Sequence, residues 1–277
     1  VRTSTAAILK LDVSRVKVTP LEIGGGFGGK IPVYLEPVVS ILSRKSGRPV
    51  KAVMERSSVF QASGPAPGGT ITVKMGTDKD ANIVAAESSI KLEAGGFPGS
   101  AVGAAVQCIF AAYDVPNTRI DGFDIVVNKP KSAAYRAPGS PQAAFATETV
   151  SDELARLHGM DPIDFRLQNA AKEGTRRADG VVFPKVGNVE VLEAAKKSDH
   201  WNSDLGTPAK GRVRGRGVAS GYWFNVGLKS TVNLAVNSDG SVVLVEGSTD
   251  IGGTRTSISM QAAEILGIGV ENFRPSV

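Results

Sequence analysis

Apolar and polar positions predict short strands and amphipathic helices that cluster rather than strictly alternate. Val16–Ile23 reads as a strand running into a glycine-rich segment, Gly24–Lys30. A helix is expected over 33–45, stopped by Gly47 with Pro49 just beyond, and then a short strand over Val50–Met54. Thr70–Met75 alternates polar and apolar side chains. Asp78–Asn82 suits the turn that returns it into a second strand, Ile83–Leu92. Residues 95–108 are small and rich in Gly and Ala, so this backbone is expected to pack closely.

Helical periods dominate the middle of the chain. Ser140 stands as an N-cap and Pro141 as the first helical residue. The predicted core face is Ala146, Val150, Leu154 and Leu157, and Gly159 closes the helix. Asp161-Pro162 starts a second helix with Ile163, Leu167 and Ala170 on one face, ending by Gly174. Asn188 caps a third, to about Lys197. Residues 201–214 read as a linker rich in Gly, Pro, Lys and Arg, placing a subdomain boundary near Leu205. Strands follow at Val218–Phe224, 232–236 and 242–245, with the turn Asn237-Ser238-Asp239-Gly240 between the last two. Gly252-Gly253-Thr254 opens a final helix with Ile258, Ala262, Ile265 and Leu266 on one face. Clustered strands and helices predict an α+β fold with mixed and antiparallel sheets and packed helices.

Composition narrows the chemistry. The 277 residues are 42% hydrophobic and 21% charged, which fits a globular chain. No apolar run reaches the roughly 18 residues of a membrane span, so a cytoplasmic, membrane-free protein is expected. One cysteine, Cys108, and two histidines, His158 and His200, are too few to ligate an iron–sulfur cluster or build a zinc site. The net charge of +5 reads as spread over the surface, with small clusters at Arg176-Arg177 and Arg212–Arg216. Nucleic acid is not expected, because the basic residues lack interleaved aromatics. The chain begins without Met, inside a stretch that reads as strand, which points to an interior piece of a longer protein.

Gly24–Lys30 imitates two nucleotide motifs. Gly24, Gly26 and Gly29 satisfy G-x-G-x-x-G, but Glu55 lies 26 residues past Gly29, where a dinucleotide-binding unit places its acid at about 20. The segment also fits G-x-x-x-x-G-K, but Ile31 stands where a Ser or Thr should reach magnesium. A tight turn needing glycine, or a site lined by backbone amides open to an oxygen-bearing group, accounts for the segment as well. Arg136, in Tyr135–Gln142, and the glycines of Asp250–Ser257 carry the same logic of donors beside a helix start.

Several segments, in their order and spacing, resemble the molybdenum-cofactor-binding subunit of the xanthine dehydrogenase/aldehyde oxidase family. They are Ile23–Lys30, Gly47-Arg48-Pro49-Val50, Tyr135-Arg136-Ala137, Asp152–Ala155, Gly159–Pro162, Arg166–Asn169, Gly174, Asp239-Gly240-Ser241 and Asp250–Gly253. The resemblance implies two molybdopterin-binding subdomains, 1–205 and 206–277, the second truncated. It also implies a molybdenum–pterin cofactor, of the cytosine dinucleotide type. An aldehyde or N-heterocycle would be oxidised with water as oxygen source, and electrons would leave through [2Fe–2S] clusters and FAD on partner subunits or domains of an oligomer. Carried over by motif, the backbone of Gly25, Gly26, Phe27 and Gly28 lies near the metal's ligands. Arg136 borders metal and pterin, Gly252 and Gly253 approach the pterin dinucleotide, and no side chain here binds the metal directly. The family's catalytic glutamate falls beyond Val277, so the chain alone is expected to be inactive and to carry no intact cofactor. Three positions depart from the purine-oxidising pattern: Ile31 replaces a glutamate, Ala104 an arginine and Pro138 an aromatic wall. Two other classes fit less of the chain: a nucleotide-binding module using Gly24–Lys30, and a structural or assembly domain without ligand.

Overall fold

The structure, a computed structural model, describes residues 1–224, 229–247 and 249–276. In chain order the helices and strands are α1 (Arg2–Leu9), α2 (Glu36–Ser46), α3 (Arg56–Ala62), β1 (Gly69–Thr77), β2 (Ile83–Gly95), α4 (Val102–Cys108) and β3 (Thr118–Val126). They continue with α5 (Ser140–Leu157), α6 (Pro162–Gln168), α7 (Asn188–Lys197), α8 (Asp199–Asn202), β4 (Val232–Val236), β5 (Val242–Glu246), α9 (Thr254–Leu266) and β6 (Phe273–Ser276). Two compact units form. One joins Val1–Ser63 to Asn225–Val277 and the other is Gly64–Phe224. The break at 205/206 falls inside the second unit.

The expected α+β class with mixed sheets is what forms. Each unit holds a three-stranded sheet of the same topology. β1 pairs antiparallel with β2 and β2 parallel with β3, while β4 pairs antiparallel with β5 and β5 parallel with β6. A parallel partner needs a crossover, and α4 and α9 supply it. In the β1–β2 hairpin the alternation holds: Thr70, Thr72 and Lys74 are exposed, and Ile71, Val73 and Met75 pack on a core containing Ile90 and Leu92. The Asp78 carboxylate closes the turn by accepting the amides of Asp80 and Asn82, both at 2.9 Å. β3 carries Gly122 beneath α4, where a Cβ would lie 2.7 Å from Val106 Cγ2. That substitution of a side chain by a close helix is why its sequence does not advertise a strand.

Several sequence expectations are corrected. The first residues form α1, not a strand. Residues 16–23, 50–54 and 218–224 are irregular, so no strand precedes the Gly24–Lys30 loop and none follows its helix. α6 ends at Gln168 with Asn169 as its cap, well before Gly174. Gly139, not Ser140, caps α5. It sits at φ +87°, and a Cβ there would come within 2.6 Å of the Ala101 carbonyl oxygen. The Ser140 hydroxyl instead donates to the Tyr222 carbonyl at 2.6 Å. Likewise Asn188 is inside α7, capped by Gly187, and its side-chain amide donates to the carbonyls of Ala112 and Ala171. In α9 the buried positions are Ser259 and Ala263, beside Ile258 and Ala262, while Ile265 is exposed.

The largest departure is the buried face of α5. Leu154 packs on the core as expected, but Leu157 is 81% exposed, and the fully buried positions are Ser140, Ala143, Thr147, Glu148, Ser151 and Ala155. Polar groups are tolerated there because each finds a partner. Thr147 Oγ1 donates to the Ile109 carbonyl at 2.7 Å, and Ser151 Oγ to the Thr147 carbonyl at 3.0 Å. Glu148 accepts from Arg166 Nε (2.8 Å), the Tyr113 hydroxyl (2.5 Å) and the Ser220 amide (2.6 Å). Arg166, wholly buried, also pairs with Asp152 at 2.8 Å and donates to the Pro162 carbonyl at 2.9 Å. Burial, and then the Glu148 charge, push the Tyr113 phenol's ionisation upward, so it stays protonated and donates.

Arg166→Met leaves Glu148 buried without its counter-charge, and is expected to cost about 3–5 kcal/mol in urea unfolding. Tyr113→Phe removes one of several donors to the buried carboxylate and is expected to cost about 1.5–3 kcal/mol. Comparable losses for the two variants would contradict this ranking.

Candidate functional site

The glycine segment folds as a chain of tight turns. Gly24 sits at φ +64° and Gly28 at +91°, and between them Phe27, not a glycine, takes +49°. The Gly29 amide donates to the Gly26 carbonyl (2.9 Å) and the Ile31 amide to the Gly28 carbonyl (3.1 Å). Lys30 Nζ donates back to the Ile23 carbonyl, so the lysine braces its own loop. With no strand on either side of the unit, and with Lys30 turned inward, neither nucleotide motif has its structural context. Conformation alone accounts for glycine at 24 and 28, since a side chain is strained in the left-handed region. The same does not hold at Gly26. It has no such φ, and a Cβ there would meet Ile23 Cδ1 at 3.5 Å and Lys30 Cβ at 3.9 Å, both ordinary contacts.

The second glycine pair lies beside the first. Gly252 (φ +63°) and Gly253 (φ +87°) precede α9. The Gly252 amide donates to the Gly24 carbonyl at 3.2 Å, and the Ile23 amide to the Asp250 carbonyl at 3.5 Å. Arg255, in the first turn of α9, ties the two segments further: Nη1 donates to Glu22 Oε1 at 2.6 Å, and its backbone amide to Asp250 Oδ1 at 3.2 Å. Gly25, Gly26, Phe27, Gly28, Gly252 and Gly253 therefore share one place in the first unit, although some 220 positions of sequence separate the two loops.

Its surface is made of donors. Among the described residues the amides of Gly24, Gly25, Gly26, Gly28 and Gly253 make no hydrogen bond. Arg255 Nε is buried and also has no hydrogen-bond acceptor, Asp250 Oδ2 lying 3.9 Å away. The glycine amides are exposed or half-buried and so open to an incoming oxygen-bearing group, and only the buried Arg255 Nε carries the cost of a donor without an acceptor. The donor set fits an oxygen-rich, anionic group such as the phosphates and carbonyls of a pterin dinucleotide. Phe27, 56% exposed, stands at the rim.

Arg136 belongs to the second unit, in the turn before α5. Arg136 (φ +29°) and Ala137 (φ +54°) are consecutive non-glycine residues in or near the left-handed region, a strain of about 1–3 kcal/mol each that the surroundings must offset. The Ser140 amide, donating to the Ala137 carbonyl at 3.0 Å, and the crowded Gly139 hold this turn. Ile31 is 71% exposed at the end of the glycine segment. Ala104 lies on α4 and Pro138 in the Arg136 turn, both half-buried. Sequence reasoning missed Glu22 and Arg255, whose pairing joins the loops. Only the basic residue in the first turn after Gly252-Gly253, a poor place for a cation at a helix N-terminus, hints that an acid must face it.

Comparison with known proteins identifies the family. The sequence model of the molybdopterin cofactor-binding domain matches residues 1–170, and a second molybdopterin cofactor-binding domain model matches 190–276. The aldehyde oxidoreductase molybdenum-binding subunit PaoC of Escherichia coli is 31% identical across 98% of the chain, which covers 37% of that subunit. The nicotinate dehydrogenase large molybdopterin subunit of Eubacterium barkeri is 34% identical across 71% of the chain and 47% of its own length. Quinoline 2-oxidoreductase from Pseudomonas putida shares the fold, with a TM-score of 0.81 at 21% identity over the whole chain and 39% of that protein. The chain thus spans less than half the length of these relatives. It is a member of the molybdopterin cofactor-binding domain family, of the kind found in the molybdenum-binding subunits of xanthine dehydrogenases and aldehyde oxidoreductases.

Proposed function

We propose that this chain is the cofactor-cradling part of a molybdenum hydroxylase subunit that oxidises an aldehyde or an N-heterocycle. The observation that carries the reading is the pairing of the two glycine loops, Gly252 amide to Gly24 carbonyl, with unbonded amides and the orphaned Arg255 Nε beside them. When bound, a molybdenum–pterin of the cytosine dinucleotide type supplies the redox centre at which oxygen from water is transferred to the substrate. The chain's own residues bind and orient it. By the family resemblance the backbone of Gly25, Gly26, Phe27 and Gly28 would lie near the metal's ligands, and Gly252 and Gly253 would approach the dinucleotide without a side chain in the way. Arg136, in the second unit, is carried over by motif alone as a residue that would border metal and pterin. Cradling with backbone dipoles needs no reorganisation when charge moves, which is the contribution expected of a scaffold for redox chemistry.

Electrons would pass to [2Fe–2S] and FAD groups on partner subunits or domains, and the division into subdomains 1–205 and 206–277 belongs to the same reading. The general base, a glutamate in the family, is not assigned to any residue here. Among the described residues no helix is long and apolar enough to cross a membrane, and a cytoplasmic site of action goes with the proposal.

Gly26→Ala separates a cradle from a plain turn. The position has no positive φ and has room for a methyl group. Stability should therefore change by less than about 0.5 kcal/mol, while the full-length subunit should retain several-fold less molybdenum by elemental analysis. Unchanged metal content would remove the cradle.

Gly28→Val makes the opposite test. At φ +91° it should lower unfolding stability by about 1–3 kcal/mol even in the apoprotein, and a melting temperature equal to the parent's would count against the turn geometry.

In the full-length enzyme, kcat/KM for xanthine should fall well below that for the best aldehyde or N-heterocycle. Ile31, Ala104 and Pro138 offer no polar hold on a purine, and each missing buried contact costs about 1–3 kcal/mol. Equal values in steady-state assays would refute the substrate class.

A further inference from the structure

Basic residues gather in a few acid-free segments. Residues 37–54 hold Arg44, Lys45, Arg48 and Lys51, and residues 205–238 hold Lys210, Arg212, Arg214, Arg216 and Lys229. In the second of these, four of the five cations lie on a single loop of the second unit. Residues 202–215 are all exposed.

The loop is built, not slack. At its base Arg214 Nη1 donates to the Leu205 carbonyl at 2.7 Å. Arg216 Nη1 donates to the Trp201 carbonyl at 2.5 Å and its Nη2 to Ser203 Oγ at 3.1 Å. Two arginines are thus spent on backbone and hydroxyl oxygens. At the tip the Arg212 amide donates to the Ala209 carbonyl at 3.0 Å, and Gly211 takes φ +76°, closing a turn. Lys210 and Arg212 stand on that turn, and neither makes a side-chain hydrogen bond or ion pair among the described residues. Next to them Val213 is 94% exposed.

We propose that this loop is a docking element for a carboxylate-rich protein surface. Two unpaired cations held on a braced turn give the orientation and the long-range attraction that steer a charged partner. Val213 between Arg212 and Arg214 argues for protein over nucleic acid. An apolar side chain gains from a protein surface that removes it from water, whereas a phosphate backbone offers it nothing. The segment 205–216 also contains no aromatic residue to stack on a base. The site is remote in the sequence from the glycine loops and uses none of their residues, so a failed metal assay leaves it untouched.

The test uses the full-length subunit, with a fluorescein-labelled decaglutamate peptide and a single-stranded oligonucleotide as probes, read by fluorescence anisotropy at low and high salt. The paired variant Lys210→Gln/Arg212→Gln is compared with Lys45→Gln/Lys51→Gln, an exposed pair elsewhere that removes the same charge. Decaglutamate is expected to bind at low salt and to lose about fivefold in affinity in the loop variant, with the control pair close to the parent and all melting temperatures alike. Equal losses from both pairs would reduce the effect to net charge and overturn the proposal. So would absence of peptide binding at low salt, or tighter binding of the oligonucleotide than of the peptide.

Discussion

The buried ion pair between Arg166 and Glu148 is the contact on which the second unit depends. It joins α5 to α6, and through Glu148 it also reaches Tyr113 and the amide of Ser220. A wholly buried guanidinium is tolerable only when its donors are occupied, and here Glu148, Asp152 and the Pro162 carbonyl occupy them. The geometry of α5 follows from this. The helix must turn Glu148 inward, which turns Leu157 outward. The Gly139 turn that carries Arg136 leads directly into this helix, so it starts from an element anchored by that ion pair.

The readable parts of the fold were those held by local chemistry. The hairpin of β1 and β2 announces itself by alternation and by an Asp-rich turn. The C-terminal end of α2 and the start of α6 follow from Gly47 and Asp161, whose geometry at each cap matches their chemistry, whereas α2 begins at Glu36 and not near 33. What could not be read was set by distant partners. Apolar periodicity found only one side of the buried face of α5, with Leu154 on the core, and missed its centre, which is lined with the polar groups Thr147, Glu148 and Ser151. Residues 16–23 have strand-like composition but no neighbouring strand to pair with, and composition alone does not supply one. β3 hides because Gly122 gives up a side chain to let α4 approach.

The glycine-rich loop shows why a short motif underdetermines chemistry. Three demands favour the same residue: a left-handed backbone at Gly24 and Gly28, close approach of another chain segment, and open amides. Sequence shows their union. The structure separates them, leaving Gly26 and Gly29 as positions where neither conformation nor protein packing requires glycine. The ordered set of motifs, spread over nearly the whole chain, carried the family where no single motif did. The pairing of Glu22 with Arg255, which brings the two loops together, left almost no local trace.

That first unit is assembled from the two ends of the chain, with all of Gly64–Phe224 inserted between them. During synthesis the inserted unit has its full complement of strands and helices while the first unit still has only half of its own. Residues 1–63 must wait, without their sheet, until β4, β5 and β6 leave the ribosome, because ring closure over so long an insertion has nothing to close against earlier. The Gly24 and Gly252 loops therefore meet only after the inserted unit and β4, β5 and β6 have been made. Any group they hold is bound after that closure rather than seeding the folding of residues 1–63, and the half-built unit is the species that a chaperone would need to shield.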